Sequence, residues 1–214
     1  MITYGILILT IAFSVYAMNR QDIKYKYIFH PYSIKHYNQH YRFLSHAFLH
    51  GDFIHLAFNM YALLIFGPLI EEQIYPILLG SREEPDYKMG SLCYVLLYTG
   101  AIYAASIVEY YKNRNNKHYS SLGASGAINA LIFAFILFAP TAQLGIFFIP
   151  MPAWVFGIAY LIISFYLSKR NTGNESVDRV GHEAHFWGAI YGIVFTGIIK
   201  PELFSNFIAQ ILPK

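Results

Sequence analysis

Ser125 lies in Ser120-Ser121-Leu122-Gly123-Ala124-Ser125-Gly126-Ala127-Ile128-Asn129, one hydroxyl among small residues at the start of an apolar run that reaches Ala139. A serine hydroxyl is a weak nucleophile until a base stands within hydrogen-bond reach. Histidine has the pKa to take that proton and return it. His182 and His185 open a second apolar run, in Gly181-His182-Glu183-Ala184-His185-Phe186-Trp187-Gly188. A third polar pair occurs in His55-Leu56-Ala57-Phe58-Asn59. Its i, i+4 spacing puts His55 and Asn59 on one helix face. With the Ser125 backbone N–H, these two side chains are suitable donors for a developing oxyanion. The plainer reading of Ser125 taken alone is packing, since small residues let helices approach and a serine can bond back to its own helix. Whether the three groups meet decides between the two.

The elements that must bring them together follow from composition. Of 214 residues, 56% are hydrophobic and 13% charged, and the mean hydropathy is +0.40. Soluble domains carry about 25% charged residues. The net charge of +3 is small and dispersed, which argues against nucleic-acid binding. Cys93 is the single cysteine, so no intrachain disulfide can form, and it reads as a small buried hydrophobe. Six apolar runs stand out, at about 2–18, 53–70, 91–111, 123–139, 146–168 and 182–199. The run 123–139 extends roughly 26 Å as a helix, against a hydrocarbon core of about 30 Å. The first run lacks a basic leader and a small-residue cleavage motif, so it reads as a retained span. Pro150 and Pro152 place the start of the fifth helix near Pro152. The expectation is one domain over 1–214, an all-α membrane protein built as a six-transmembrane-helix bundle, because backbone groups in lipid must be satisfied within helices or closed barrels.

Successive spans alternate in direction, so the second, fourth and sixth start on the same side. His55 and Asn59, Ser125, and His182 and His185 therefore share one depth. Polar groups inside spans are costly and are functional candidates by default. His185, Gly188 and Gly192 share a helix face, as do Gly126, Ala130 and Ala134. Two small-residue faces allow a close approach that brings His185 toward Ser125. No carboxylate is an obvious third member. Glu183 points away from His185, and nothing supports an orienting role for Asp52 or Glu71, so the pattern reads as a Ser–His dyad. His182 is the alternative base, without a glycine stripe at matching spacing. His182-Glu183-Ala184-His185 lacks the i, i+4 histidines of the helical zinc signature. His46 and His50 have that spacing but lie in a loop with no carboxylate, and are expected to hydrogen-bond within it. No metal and no cofactor is expected.

Taken together, these features resemble the rhomboid family of intramembrane serine proteases (bacterial-type, six-span core) over nearly the whole chain. The matching pieces are Gly123-Ala124-Ser125-Gly126, His55-x-x-x-Asn59 and Ala184-His185-x-x-Gly188-x-x-x-Gly192. Tyr41-Arg42, ahead of Phe43-Leu44-Ser45-His46-Ala47-Phe48-Leu49-His50, looks like the family's Trp-Arg loop signature with tyrosine in place of tryptophan. The resemblance implies Ser125 as nucleophile, His185 as base, and His55 and Asn59 at the oxyanion. It implies supporting roles for Tyr41, Arg42, Gly123, Gly126, Gly188 and Gly192, and for Glu71 in helix packing. Some relatives carry an aromatic residue four positions after the serine, stacked on the histidine; here that residue is Asn129. The implied activity is a serine endopeptidase that cleaves single-span transmembrane proteins within or near the lipid bilayer. Substrate would enter beside the fifth span, whose prolines and following loop 169–181 suggest a looser element. The expected setting is a multi-pass protein of the bacterial inner membrane, since no stretch resembles a transit peptide. The family orientation leaves eleven Lys/Arg outside and four inside, the reverse of the positive-inside rule. A non-catalytic, rhomboid-like protein that binds membrane clients is the alternative. A small transporter would show inverted repeats, and the sequence has none.

Overall fold

In the computed structural model, residues 1–146, 149–170 and 181–212 are described. Helix α1 (Ile2–Met18) leads into a segment of short helices, α2 (Gln21–Tyr27), α3 (Pro31–Tyr37) and α4 (Arg42–Ser45). A continuous helix follows, made of α5 (Phe53–Pro68), a wide π turn (Leu69–Ile74) and α6 (Tyr75–Leu79). Then come α7 (Tyr87–Asn113), α8 (Ser125–Phe138), the strands β1 (Gln143–Ile146) and β2 (Ile149–Pro152), α9 (Ala153–Arg170), α10 (His182–Ile199) and α11 (Glu202–Ile211).

Burial is inside out. On α1 the buried residues include Thr3, Thr10 and Ser14, whereas Ile8 is 64% exposed; on later helices Ile162 is 64% and Ile198 74% exposed. A helix that hides its hydroxyls and presents isoleucine outward suits lipid rather than water. Two helices, Phe53–Leu79 and Tyr87–Asn113, are long and apolar enough to cross a membrane by length and composition. Ile2–Met18, Ser125–Phe138 and Ala153–Lys169 are shorter apolar helices.

The expected elements need four amendments. First, the second apolar run does not stop at Glu71-Glu72. Its π turn brings Glu71 inside, 3% exposed. There the carboxylate accepts from the backbone N–H of Ile2 (2.6 Å) and of Thr3 (2.9 Å). The first N–H groups of a helix have no intrahelical acceptor, and a carboxylate at that positive end meets the need. Second, the fold is not wholly helical. Pro140 ends α8, and β1 pairs antiparallel with β2 before α9 begins. Pro150 and Pro152 cannot donate to a helix, but a two-stranded hairpin has only edges and tolerates them. Third, α8 begins at Ser125, later than the apolar run, because Gly123 has a left-handed φ of +124°. Fourth, α11 is an added amphipathic helix after the last expected span, and Phe204 on it packs against Gly197.

The core is centred on α8, whose buried side runs through Gly126, Ala127, Ala130, Leu131 and Ala134. A Cβ on Gly188 of α10 would fall inside the backbone of Gly126, and one on Gly192 inside that of Ala130. The two small-residue faces therefore meet as their spacing predicts.

Replacing Glu71 with alanine strips the acceptor from buried N–H groups at the start of α1. The expected result is a loss of about 1–3 kcal/mol, with Glu71→Gln intermediate, read as the apparent melting temperature in detergent. An unchanged melting temperature in Glu71→Ala would show that the seat of α1 does not depend on this carboxylate.

Candidate active site

The first turns of α5, α8 and α10 open onto one cavity of about 990 Å³. Ser125, His185, His55 and Asn59 all line it, joined by Asn129 of α8 and Tyr160 of α9. The four residues expected to meet do so, from three helices separated by up to 130 positions (185 − 55).

Ser125 is the first residue of α8. Its backbone N–H belongs to the helix-initial set that lacks an intrahelical acceptor. Gly123, two residues earlier, donates its N–H to the His46 carbonyl at 3.0 Å. A Cβ there would stand 3.1 Å from His55 Cε1 and 3.2 Å from Nε2. Positive φ and the His55 ring both demand glycine at this position. Ser121, also on the cavity wall, pairs with Phe29 through backbone hydrogen bonds of 3.0 and 3.1 Å. Its hydroxyl donates to the buried carboxylate of Glu109 at 2.8 Å. Glu109 was not singled out in the sequence; its one visible signal is an acid inside the third apolar run.

His55 is set by a helix cap, with its backbone N–H donating to the Asp52 carboxylate at 2.8 Å. One turn on, the Asn59 amide donates to the His55 carbonyl at 2.8 Å. Asp52 is thus occupied at the start of α5, and Glu71 lies sixteen residues past His55 (71 − 55), roughly 24 Å along the helix. On α10, Glu183 pairs with Lys112 at 3.0 Å, directed away from His185 as its spacing requires. The cavity takes in His185 and not His182, whose ring meets His185 edge-on at 6.0 Å. The His185 ring also stacks with Tyr160, with centroids 6.4 Å apart and planes at 26°. Tyr160 was missed in the sequence, where nothing distinguishes it from the other tyrosines.

The segment between α1 and α5 holds the floor of this site. Arg42 is buried, donating from Nη1 to the carbonyls of Tyr25 (2.9 Å) and Ile28 (2.7 Å), and from Nε to Gln39 at 2.7 Å. Tyr41 shields it from outside, and its hydroxyl donates to the Lys26 carbonyl at 3.0 Å. His46 and His50 do not bond within the segment as expected. They reach across to the helices beside it, His46 Nε2 to Ser106 Oγ at 2.9 Å and His50 Nδ1 to Ser14 Oγ at 2.9 Å. The Ser14 hydroxyl donates its one proton to the Phe48 carbonyl at 2.8 Å. It must then accept from His50, which fixes the Nδ1–H tautomer. The His50 ring stands 5.0 Å from that of His55, so it forms the wall behind His55.

A family model described as Rhomboid domain matches residues 37–202 of this chain. The chain belongs to the rhomboid family. It is 29% identical over 162 residues to "RHOMBOID-like protein 12, mitochondrial" of Arabidopsis thaliana, covering 75% of this chain and 47% of that protein. It is 30% identical over 152 residues to "Presenilin-associated rhomboid-like protein, mitochondrial" of Homo sapiens, covering 70% and 35%. It is 27% identical over 194 residues to "Rhomboid-like protein 11, chloroplastic" of Arabidopsis thaliana, covering 84% and 58%. The chain therefore spans about half, or less, of the first two relatives' length. Rhomboid membership and the apolar helices together make it a membrane protein.

The buried loop histidines of this rhomboid chain set its acid sensitivity. Burial pushes the His46 imidazole down to about 4. Burial, helped by His55, pushes the His50 imidazole down to about 3. Unfolded, each titrates near 6.5. Below that value only the unfolded chain takes up these protons, so the folded state loses stability as pH falls, on the order of 2 kcal/mol per histidine by about pH 5. Above about pH 6.5 the effect vanishes. The apparent melting temperature in detergent is expected to drop between about pH 7.5 and about pH 5. A flat profile over that range would contradict the neutral, buried state of these rings.

Proposed function

We propose that this rhomboid chain is an intramembrane serine endopeptidase that cleaves transmembrane protein substrates within or near the bilayer. The observation that carries the proposal is the single cavity lined by Ser125, His185, His55 and Asn59. In this reading Ser125 Oγ attacks the scissile carbonyl while its proton passes to the His185 imidazole. Charge collects on the carbonyl oxygen, where His55, the Asn59 amide and the Ser125 backbone N–H serve as donors. Collapse of the intermediate breaks the C–N bond, and the imidazolium returns the proton to the leaving amine. Water, activated by the same imidazole, then hydrolyses the acyl-enzyme and restores the serine.

The proposed span count is six, formed by α1, the helix from α5 to α6, α7, α8, α9 and α10. Substrates are proposed to be single-span proteins entering beside α9. The loop 169–181 invoked for that entry lies largely outside the described residues. The relatives' names speak of mitochondria and chloroplasts and lend no support to a bacterial inner membrane. A reporter fused to the C-terminus reads the orientation directly.

The deciding experiment is labelling with a fluorophosphonate probe, followed by cleavage of a reconstituted transmembrane reporter. Wild type is expected to label and cleave, whereas Ser125→Ala and His185→Ala lose both while staying folded. Asn59→Ala is expected to retain activity, reduced by at most about 10²–10³ as for loss of one oxyanion donor. A folded wild type that neither labels nor cleaves would favour client binding over proteolysis. Wild-type rates in Ser125→Ala would refute the nucleophile.

A further inference from the structure

The His185 ring lies against a neighbouring ring, while Glu183 is turned away to Lys112. Position 129 lies one helical turn beyond Ser125, on the same face of α8. The chain has an amide there. The Asn129 side chain donates to the Ser125 carbonyl at 2.9 Å.

The ring comes from another helix. Tyr160 on α9 stacks on His185, with centroids 6.4 Å apart and planes at 26°, within the range of favourable offset pairs. Tyr160 is itself held on several sides. Its ring packs against Phe133 at 5.9 Å and Phe156 at 5.4 Å. The side chains of Asn129 and Ser164 lie close to its hydroxyl. Gly157, three residues earlier on the same face of α9, meets Phe133 and Ile136 of α8 where a Cβ would stand 3.3 to 3.5 Å away. A continuous path therefore runs from the Ser125 carbonyl through Asn129 and Tyr160 to the His185 ring.

We infer that Tyr160 is a positioning residue, which holds the imidazole of His185 in the plane needed to face Ser125. Asn129, one turn beyond Ser125 on α8, lies beside the Tyr160 hydroxyl and supports the ring in turn. The inference rests on the proteolytic reading for its consequence, but the stack itself does not. Alignment of the base then requires α9 to be seated on α8 at Gly157, beside the path proposed for substrate entry.

The test compares wild type, Tyr160→Phe and Tyr160→Leu. Phenylalanine keeps the stacked ring, and leucine removes it at similar bulk. With a reconstituted transmembrane reporter, Tyr160→Leu is expected to lower kcat tenfold or more with KM nearly unchanged. Tyr160→Phe is expected to stay within a few-fold of wild type. A side chain that only lined the substrate cavity would move KM instead. In parallel, protein labelled with ¹³C at the histidine rings gives the His185 Cε1–H signal, assigned by its loss in His185→Gln. Ring current from a stacked aromatic should hold that signal at a shifted position in wild type and Tyr160→Phe, and Tyr160→Leu should release it. The same shift in all three proteins, or wild-type kcat in folded Tyr160→Leu, would overturn the inference. A wild type that shows the ring shift but neither cleaves nor labels would sink the proteolytic reading and leave the stack standing.

Discussion

Backbone contact between α8 and α10 is the constraint on which the rest depends. At Gly126 against Gly188, and at Ala130 against Gly192, there is no room for a further carbon. In lipid, helices gain little from hiding apolar side chains from one another, so close packing of backbones supplies much of their association. Here the contact of Gly126 with Gly188 lies within one turn of Ser125 and of His185. It therefore fixes the separation of the two side chains more tightly than loops could. The apolar mass around it, from α7 and the helix that starts at α5, keeps α8 buried along most of its length.

Several polar groups in the interior hold that frame, each matched to a backbone end or a hydroxyl. Glu71 closes the start of α1, Arg42 gathers the carbonyls at the end of α2, and Glu109 ties down Ser121 ahead of α8. His46 and His50 bridge the short-helix segment to α7 and α1. In a low-dielectric setting an unpaired group of this kind is costly, and a paired one defines a unique geometry. The segment between α1 and α5 is accordingly a scaffold for the His55 and Gly123 wall of the cavity.

Aromatic packing takes a direct part in the site, with the Tyr160 ring stacked on that of His185. A carboxylate beside an imidazole stabilises its charged form as well as its orientation. A stacked ring orients without adding charge, so it suits a site beneath a membrane surface where an extra buried anion would carry a heavy desolvation cost. The Tyr160 ring and the Asn129 amide meet that need with neutral groups.

The sequence by itself determined the main apolar helices and the place of the polar groups near their starts, because hydrophobic run length and 3.6-residue periodicity are local properties. The apolar runs put His55, Asn59, Ser125 and His185 near the starts of three helices, and the glycine spacing on α10 pointed to its partner face on α8. Gly123 was legible as part of a motif, but its close approach to the His55 ring was not. What only the tertiary structure decided are the contacts between elements far apart in the chain: Glu71 with Ile2, His50 with Ser14, Glu109 with Ser121, and Tyr160 with His185. None of these leaves a spacing to read, since each depends on how two helices are rotated about their own axes. That rotation is set by packing summed over the whole bundle, and it placed a ring from α9 where position 129 on α8 carries an amide.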